Sequence, residues 1–338
     1  MKKHTQYLFF IILVAKIFVF SGCGTSHQIQ QTDITWPAPP DEPRVQYVTT
    51  YKGEDDFRFG LGSILDFIGG SKGKSGLARP FDVCLDDYGR IYVSDVAQGV
   101  LVFNTMEKSV EVFGAKNRIP LQDARGIAYG HNKIFIGLAD AGQIFVLDTG
   151  GTFLYAIGKE GQFETPVDVA IDTNTSRVLI VDNKQHKVLV FSETGDSLFS
   201  IGKRGVGDGD FNYPQSIAVD EESNIYVMDA FNFRVEIFDS EGKYLRQFGK
   251  QGNIFATFSR PKGIALDTYG NIYVLDANHN NVQIFDKEGS LLLFVGKYST
   301  ENDGFQGPVS IAIDRNNTIY VTDQINQRLQ VFQLLKGN

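Results

Sequence analysis

Cysteine is nearly absent from this 338-residue chain, which holds only Cys23 and Cys84. A stapled, disulfide-rich scaffold is thereby excluded. Long helical periodicity is also missing: no heptad or amphipathic helical run follows residue 70, so a core must come from many short strands. Histidine is sparse, with His131, His186 and His279 the three beyond residue 44. Positive charge is in deficit, with 32 Lys and Arg against 40 Asp and Glu. Such a surface is soluble and repels phosphate backbones, which sets nucleic acid aside as a partner. Glycine is abundant instead, at 35 residues, as a turn-rich all-β chain requires.

What is present is a repeat. Residues 225–249 read IYVMDAFNFRVEIFDSEGKYLRQFG, and the phrase returns at 272–296 as IYVLDANHNNVQIFDKEGSLLLFVG. A more divergent copy stands at 178–202. Each copy is preceded by a Pro-led strand: PFDVCLD (80–86), PVDVAID (166–172), PQSIAVD (214–220), PKGIALD (261–267) and PVSIAID (308–314), with ARGIAYG (124–130) in the second repeat. The aspartates closing the second strands are Asp95, Asp182, Asp229, Asp276 and Asp323, the last four spaced by 47 residues, with Leu138 in the remaining slot. Four short strands in 40-odd residues is the pattern of a propeller blade. Six starts predict an all-β, six-bladed β-propeller over residues 44–333, followed by a short tail at 334–338.

Closure gives a separate expectation. The sixth repeat stops after three strands, and the alternating segment RVQYVTTYK (44–52) has no other partner. Added outermost, it completes the last blade and removes an open edge, placing Val45–Thr49 against Arg328–Phe332. A short helix is expected at SILDFIGG (63–70). Cys84 falls where sister repeats carry alanine, as a small buried core residue does.

The first 22 residues have a basic start (Lys2, Lys3), an apolar run from Tyr7 to Phe20 and small residues before Cys23, the layout of an export signal. Phe20-Ser21-Gly22-Cys23 resembles the bacterial lipobox, which implies lipidation of Cys23 and attachment to a membrane outside the cytoplasm. A membrane-spanning anchor is the alternative, but the run interrupted at Lys16 is short for a span. Removal of residues 1–22 leaves 29 basic against 40 acidic side chains, a net charge of −11. Residues 23–43, polar and then Pro-rich, suit an extended tether.

The repeated phrase resembles the NHL repeat, G-x-I-Y-V-x-D-x-x-N-x-R-I-x-V-F-D-x-x-G, most closely at Asn224–Gly242 and Thr318–Phe332. The whole layout is similar to bacterial lipoproteins with six-bladed propellers. The resemblance implies NHL-type four-stranded blades. Its relatives include protein-binding platforms, RNA binders, sensor domains and a zinc-dependent amidating lyase.

Strand direction sorts the loops: second-to-third turns and blade connectors share one end of the ring, and first-to-second turns lie at the other. His131 falls at the far end from His186 and His279, which argues against a shared zinc. The recurring aspartates suit turn-capping better than catalysis, with Arg234, Arg328 or Lys187 five residues on for pairing. The connector GKRGVGDGDFNYP (202–214) leads into a strand and not a helix, so it is no phosphate cradle. Calcium at Asp208 and Asp210 has little support from neighbouring connectors.

Residues that differ between repeats are better candidates. Asp82, Arg125, Asp168, Gln215 and Lys262 are expected around one channel mouth as a ligand site. Phe231 and Phe233, in a turn at that end, are candidates for a protein-binding patch. The leading expectation is a monomeric, membrane-anchored, non-enzymatic scaffold that needs no cofactor and binds a protein or small ligand outside the cytoplasm. The alternative is a metal-assisted hydrolase or lyase at the channel mouth.

Overall fold

A computed structural model describes residues 34–57 and 75–336. Six antiparallel sheets are arranged as six blades, five of them with their strands in chain order from the centre outward and the last completed on its outside by N-terminal strands. The innermost strands are Pro80–Leu85, Ala124–Gly130, Pro166–Asp172, Pro214–Val219, Pro261–Leu266 and Pro308–Ile313. Six apolar clusters fill the wedges between neighbouring blades, including the wedge between the last blade and the first. Because the middle strands are covered on both faces, near-continuous apolar runs form there, while outer strands such as Tyr244–Phe248 and Leu291–Val295 alternate. Tyr92, Val93, Val227, Val274 and Val321 are fully enclosed.

The ring closes as expected. Strand Val45–Tyr51 pairs antiparallel with Arg328–Leu334, with Tyr47 opposite Phe332 and Thr49 opposite Val331. A further strand, Thr35–Trp36, adds outside it, Trp36 lying opposite Val45. Its indole meets the Phe332 ring edge-on at 5.6 Å. Part of the Pro-rich segment read as a tether is therefore packed on the last blade, because Trp36 finds an apolar seat there. Among the described residues the helical turns are two short 3₁₀ segments, Glu54–Phe57 and Ala115–Asn117. The helix expected at 63–70 and the lipidation site Cys23 lie outside the described residues. Cys84 is buried in the wedge between blades one and two.

The Phe-Gly, Ile-Gly and Val-Gly endings of the fourth strands have a local cause. Gly202 and Gly249 take φ of +82° and +104°, and a Cβ on either would overlap the ring of Phe211 or Phe258. That ring belongs to the following connector and is fully buried. Glycine permits both the left-handed backbone and the close ring.

Candidate functional site

In every blade the innermost strand carries an irregularity just after its first residue: Pro80 pairs with Asp95, yet Asp82, not Phe81, pairs with Ser94. The same slip follows Ala124, Pro166, Pro214, Pro261 and Pro308. A bulge of this kind re-aims side chains. It separates two sets that are adjacent in sequence: the bulge residues Phe81, Arg125, Val167, Gln215, Lys262 and Val309, and the next residues Asp82, Gly126, Asp168, Ser216, Gly263 and Ser310.

The second set forms the waist of the channel, and its side chains cap main-chain N–H groups on the next blade. Asp82 Oδ2 accepts from Ile127 N at 2.8 Å, Asp168 Oδ2 from Ile217 N at 2.9 Å, and Ser216 Oγ from Ile264 N at 3.1 Å. Ser310 Oγ donates to Asp82 Oδ1 at 2.6 Å, carrying the chain of bonds from the last blade to the first. At Gly126 a Cβ would overlap the Asp168 main chain, so the strands approach too closely there for a capping side chain. Innermost strands are free edges, and buried N–H groups need partners. The waist residues supply them.

Asp82 and Asp168 are 5% and 8% exposed, and each acts on the other's ionisation. Burial pushes the Asp82 carboxyl up to about 6, against the opposing pull of hydrogen bonds from Ser310, Ile127 and Val83. Burial, followed by the Asp82 charge, raises Asp168 well above the carboxylate range. An ionised Asp82 therefore favours the protonated form of Asp168.

On either side of the waist the channel differs sharply. Toward the connectors, Phe81, Val167, Gln215, Lys262 and Val309 narrow it to a space of about 10 Å³. Toward the first-to-second turns it opens into a cavity of about 710 Å³, whose floor includes Asp82 and Asp168 and whose rim includes Asp87, His131, Asn132 and Arg315.

The ring of five expected from sequence is thus only partly brought together. Asp82 and Asp168 sit deep at the waist. Gln215 and Lys262 meet at the narrow end, where Lys262 Nζ donates to Gln215 Oε1 at 3.1 Å. Burial, then the Arg260 charge, pushes Lys262 down to about 8. Arg125 is drawn aside: its guanidinium pairs with Asp123 at 3.3 Å and lies over the Phe81 ring. Phe231 and Phe233 join Gln215 and Lys262 around one pocket of about 320 Å³, together with Ser259, Arg260 and Asn278. Two of the five ring candidates thus share one pocket, between blades four and five, with both aromatic candidates.

Recurring aspartates are spent on the main chain. Asp95 accepts from the amides of Ala78 and Arg79 at 2.7 Å and from Ala97 and Gln98 at 2.9 and 3.0 Å. Asp229 and Asp323 pair with Arg234 and Arg328 at 3.1 and 2.8 Å. In the Gly-rich connector, Arg234 donates to the carbonyls of Val206, Gly207 and Asp210. A guanidinium therefore holds the loop interior where calcium had been considered. The three histidines have separate partners: His131 pairs with Glu193 at 2.8 Å, His186 accepts from Tyr213 N, and His279 lies 3.6 Å from Asp276.

A family profile described as "NHL repeat" matches residues 258–285 and 305–332. Both stretches are NHL repeats. A second profile, described as a six-bladed beta-propeller, matches residues 164–246. No protein of curated function matches the sequence. Among solved structures, a gluconolactonase from Xanthomonas campestris is 14% identical with a TM-score of 0.61, covering 86% of this chain and 98% of its own. Virginiamycin B lyase from Staphylococcus aureus is 11% identical with a TM-score of 0.56, covering 76% and 96%. An auxiliary nutrient binding protein from Bacteroides thetaiotaomicron is 14% identical with a TM-score of 0.60, covering 76% and 69%. At these identities the likeness is one of fold, and NHL propellers share that fold with enzymes and binding proteins alike.

Proposed function

We propose that this NHL propeller is a non-enzymatic binding scaffold, held at a membrane outside the cytoplasm through lipidated Cys23. The observation that carries the binding role is the pocket where departures from the repeat gather: Phe231, Phe233, Gln215 and Lys262 line it together. At the same end of the ring, connectors and turns present Val206, Ile254, Phe255, Tyr298 and Ile325 to solvent. Apolar side chains grouped with a mixed-polarity pocket suit a protein or small-ligand surface. The test is capture from envelope extracts by the immobilised full-length protein and by its Phe231→Ala/Ile325→Ser variant. Specific capture lost in the variant supports the scaffold; an unchanged captured set overturns this placement of the binding surface. For the anchor, Cys23→Ala should release the protein from the membrane fraction, and full retention would overturn it.

A second reading has its own observation. The paired acids form the floor of the 710 Å³ cavity, and a buried carboxyl raised to about 6 is suited to proton transfer. Their oxygens are occupied by amides of neighbouring blades, which favours the structural role and keeps a channel hydrolase or lyase second.

A further inference from the structure

Half-buried Lys262 and exposed Arg260 line one side of the pocket between blades four and five. Four arginines elsewhere have carboxylates: Arg90 with Asp86, Arg177 with Asp172, Arg234 with Asp229 and Arg328 with Asp323. Arg260 and Lys262 have none among the described residues. Lys262 donates to the neutral Gln215 Oε1, and only burial and Arg260 act on its charge, both against it. Asp276, whose carboxylate reaches the main chain beside them, accepts from main-chain amides, including those of Ser259 and Arg260. Burying the Lys262 ammonium beside a second cation, the exposed Arg260, is unfavourable, and a net charge of −8 leaves no shortage of acids to relieve it.

An aromatic wall completes the arrangement. Phe231 is 61% exposed although it stands at a pocket edge, propped by Tyr213 with ring centroids 5.2 Å apart. Phe233 packs inward against the core between blades four and five. One side of the pocket is thus apolar and the other cationic. Its volume of about 320 Å³ lies at the lower end of small-molecule sites, roughly 300–1,000 Å³.

Resting on the binding role proposed above, we infer that the pocket between blades four and five takes an organic carboxylate, its acid group on Lys262 and Arg260 and its apolar body on Phe231 and Phe233. A carboxylate there would supply the missing counter-charge and desolvate the exposed ring in one step. The same chemistry is offered by a free acid and by the C-terminus of a peptide ending in an aromatic residue.

Calorimetric titration of the full-length protein tests this with 3-phenylpropionate, its neutral amide, and the tripeptide Ala-Ala-Phe with free or amidated C-terminus. The acid should bind at least about tenfold more tightly than the amide, the equivalent of about 1.4 kcal/mol. Lys262→Met, which keeps the aliphatic stem, and Arg260→Gln should each erase most of that discrimination, while Phe231→Ala weakens acid and amide alike. Affinity should fall as pH rises past about 8, where Lys262 loses its proton. Tighter binding of the free acid or of the free-ended peptide assigns the source. Equal binding of acid and amide, or no saturation by any probe below about 10 mM, overturns the carboxylate assignment. Capture that still depends on Phe231 would then leave the scaffold reading standing, so the two fail separately.

Discussion

The two ends of the ring use similar residues for different ends. At the connector end, charged side chains are drawn inward: Arg328 is 2% exposed, pairs with Asp323, and donates to the carbonyls of Thr300, Glu301 and Gly304. Arg234 does the same one repeat-pair earlier. At the opposite end arginines pair within their own turns, Arg90 with Asp86 and Arg177 with Asp172, and the rim charges stay in solvent, as with Arg315, 3.9 Å from Asp87 across the wide cavity. The difference follows from loop length. First-to-second turns are tight and satisfy their own main chain through Asp86, Asp220 and Asp267. Connectors are long, their carbonyls need outside donors, and a repeated arginine provides them.

The sharpest break of that comparison is a pair of substitutions. Arg328→Ala leaves Asp323 buried without its partner and strips three connector carbonyls of their donor, which should cost about 3–5 kcal/mol. Arg315→Ala, at an exposed pair, should leave the melting temperature within error. Similar shifts from both, measured by thermal unfolding, would remove the distinction between the two ends.

Between the ends lies the waist, where the effect is smaller and depends on pH. The folded-state pKa of Asp82 is raised to about 6 and that of Asp168 is raised well above the carboxylate range, both chiefly through burial. Unfolded aspartates titrate near 3.9, so folding takes up protons between the two values. The stabilisation is therefore complete below about pH 4 and is lost as pH rises through about 6. We expect the protein to lose on the order of 2 kcal/mol between pH 5 and pH 8 from this pair, roughly 5 °C in Tm. Asp82→Ser/Asp168→Ser, which copies Ser216 and Ser310 of the other half-ring, should flatten that dependence. A variant with the wild-type slope would show that the pair is not its source.

The ring itself was legible because its signals repeat: six proline-slot starts, aspartates 47 residues apart, and a missing strand matched by a spare one at 44–52. Strand pairing followed from periodicity alone. The site was less legible for a physical reason. Asp82 and Lys262 occupy neighbouring slots of the same strand pattern, and only the bulge sends one to the waist and the other toward the connectors. Arg260 precedes the proline slot and carries no repeat signal, and Thr35–Trp36 is too short to alternate. Phe231 and Lys262 meet because blades four and five pack together, a contact between residues 31 positions apart that no spacing rule reaches.

Blade four also departs from its neighbours beneath the connector, and here the expected effect is smallest. Blade five places Gln283 where its amide serves both needs of the loop, accepting from Ala256 N at 2.9 Å and donating to Thr257 O at 3.0 Å. Blade four has Glu236 in that position, fully buried, with one oxygen accepting from Gly209 N and the other unpartnered. Burial pushes the Glu236 carboxyl up to about 7 despite the Gly209 amide and Arg234. Arg234 is shared, 3.1 Å from both Glu236 and Asp229. A raised folded pKa means stabilisation that is present in acid and lost as pH climbs through about 7. Glu236→Gln should therefore be neutral at pH 5.5 and gain about 1 kcal/mol at pH 8, since the amide cannot ionise and Arg234 keeps Asp229. A loss at pH 8 would instead mean that the Arg234–Glu236 pair outweighs the cost of the buried charge, and that this connector is held by two acids where blade six manages with Asp323 alone.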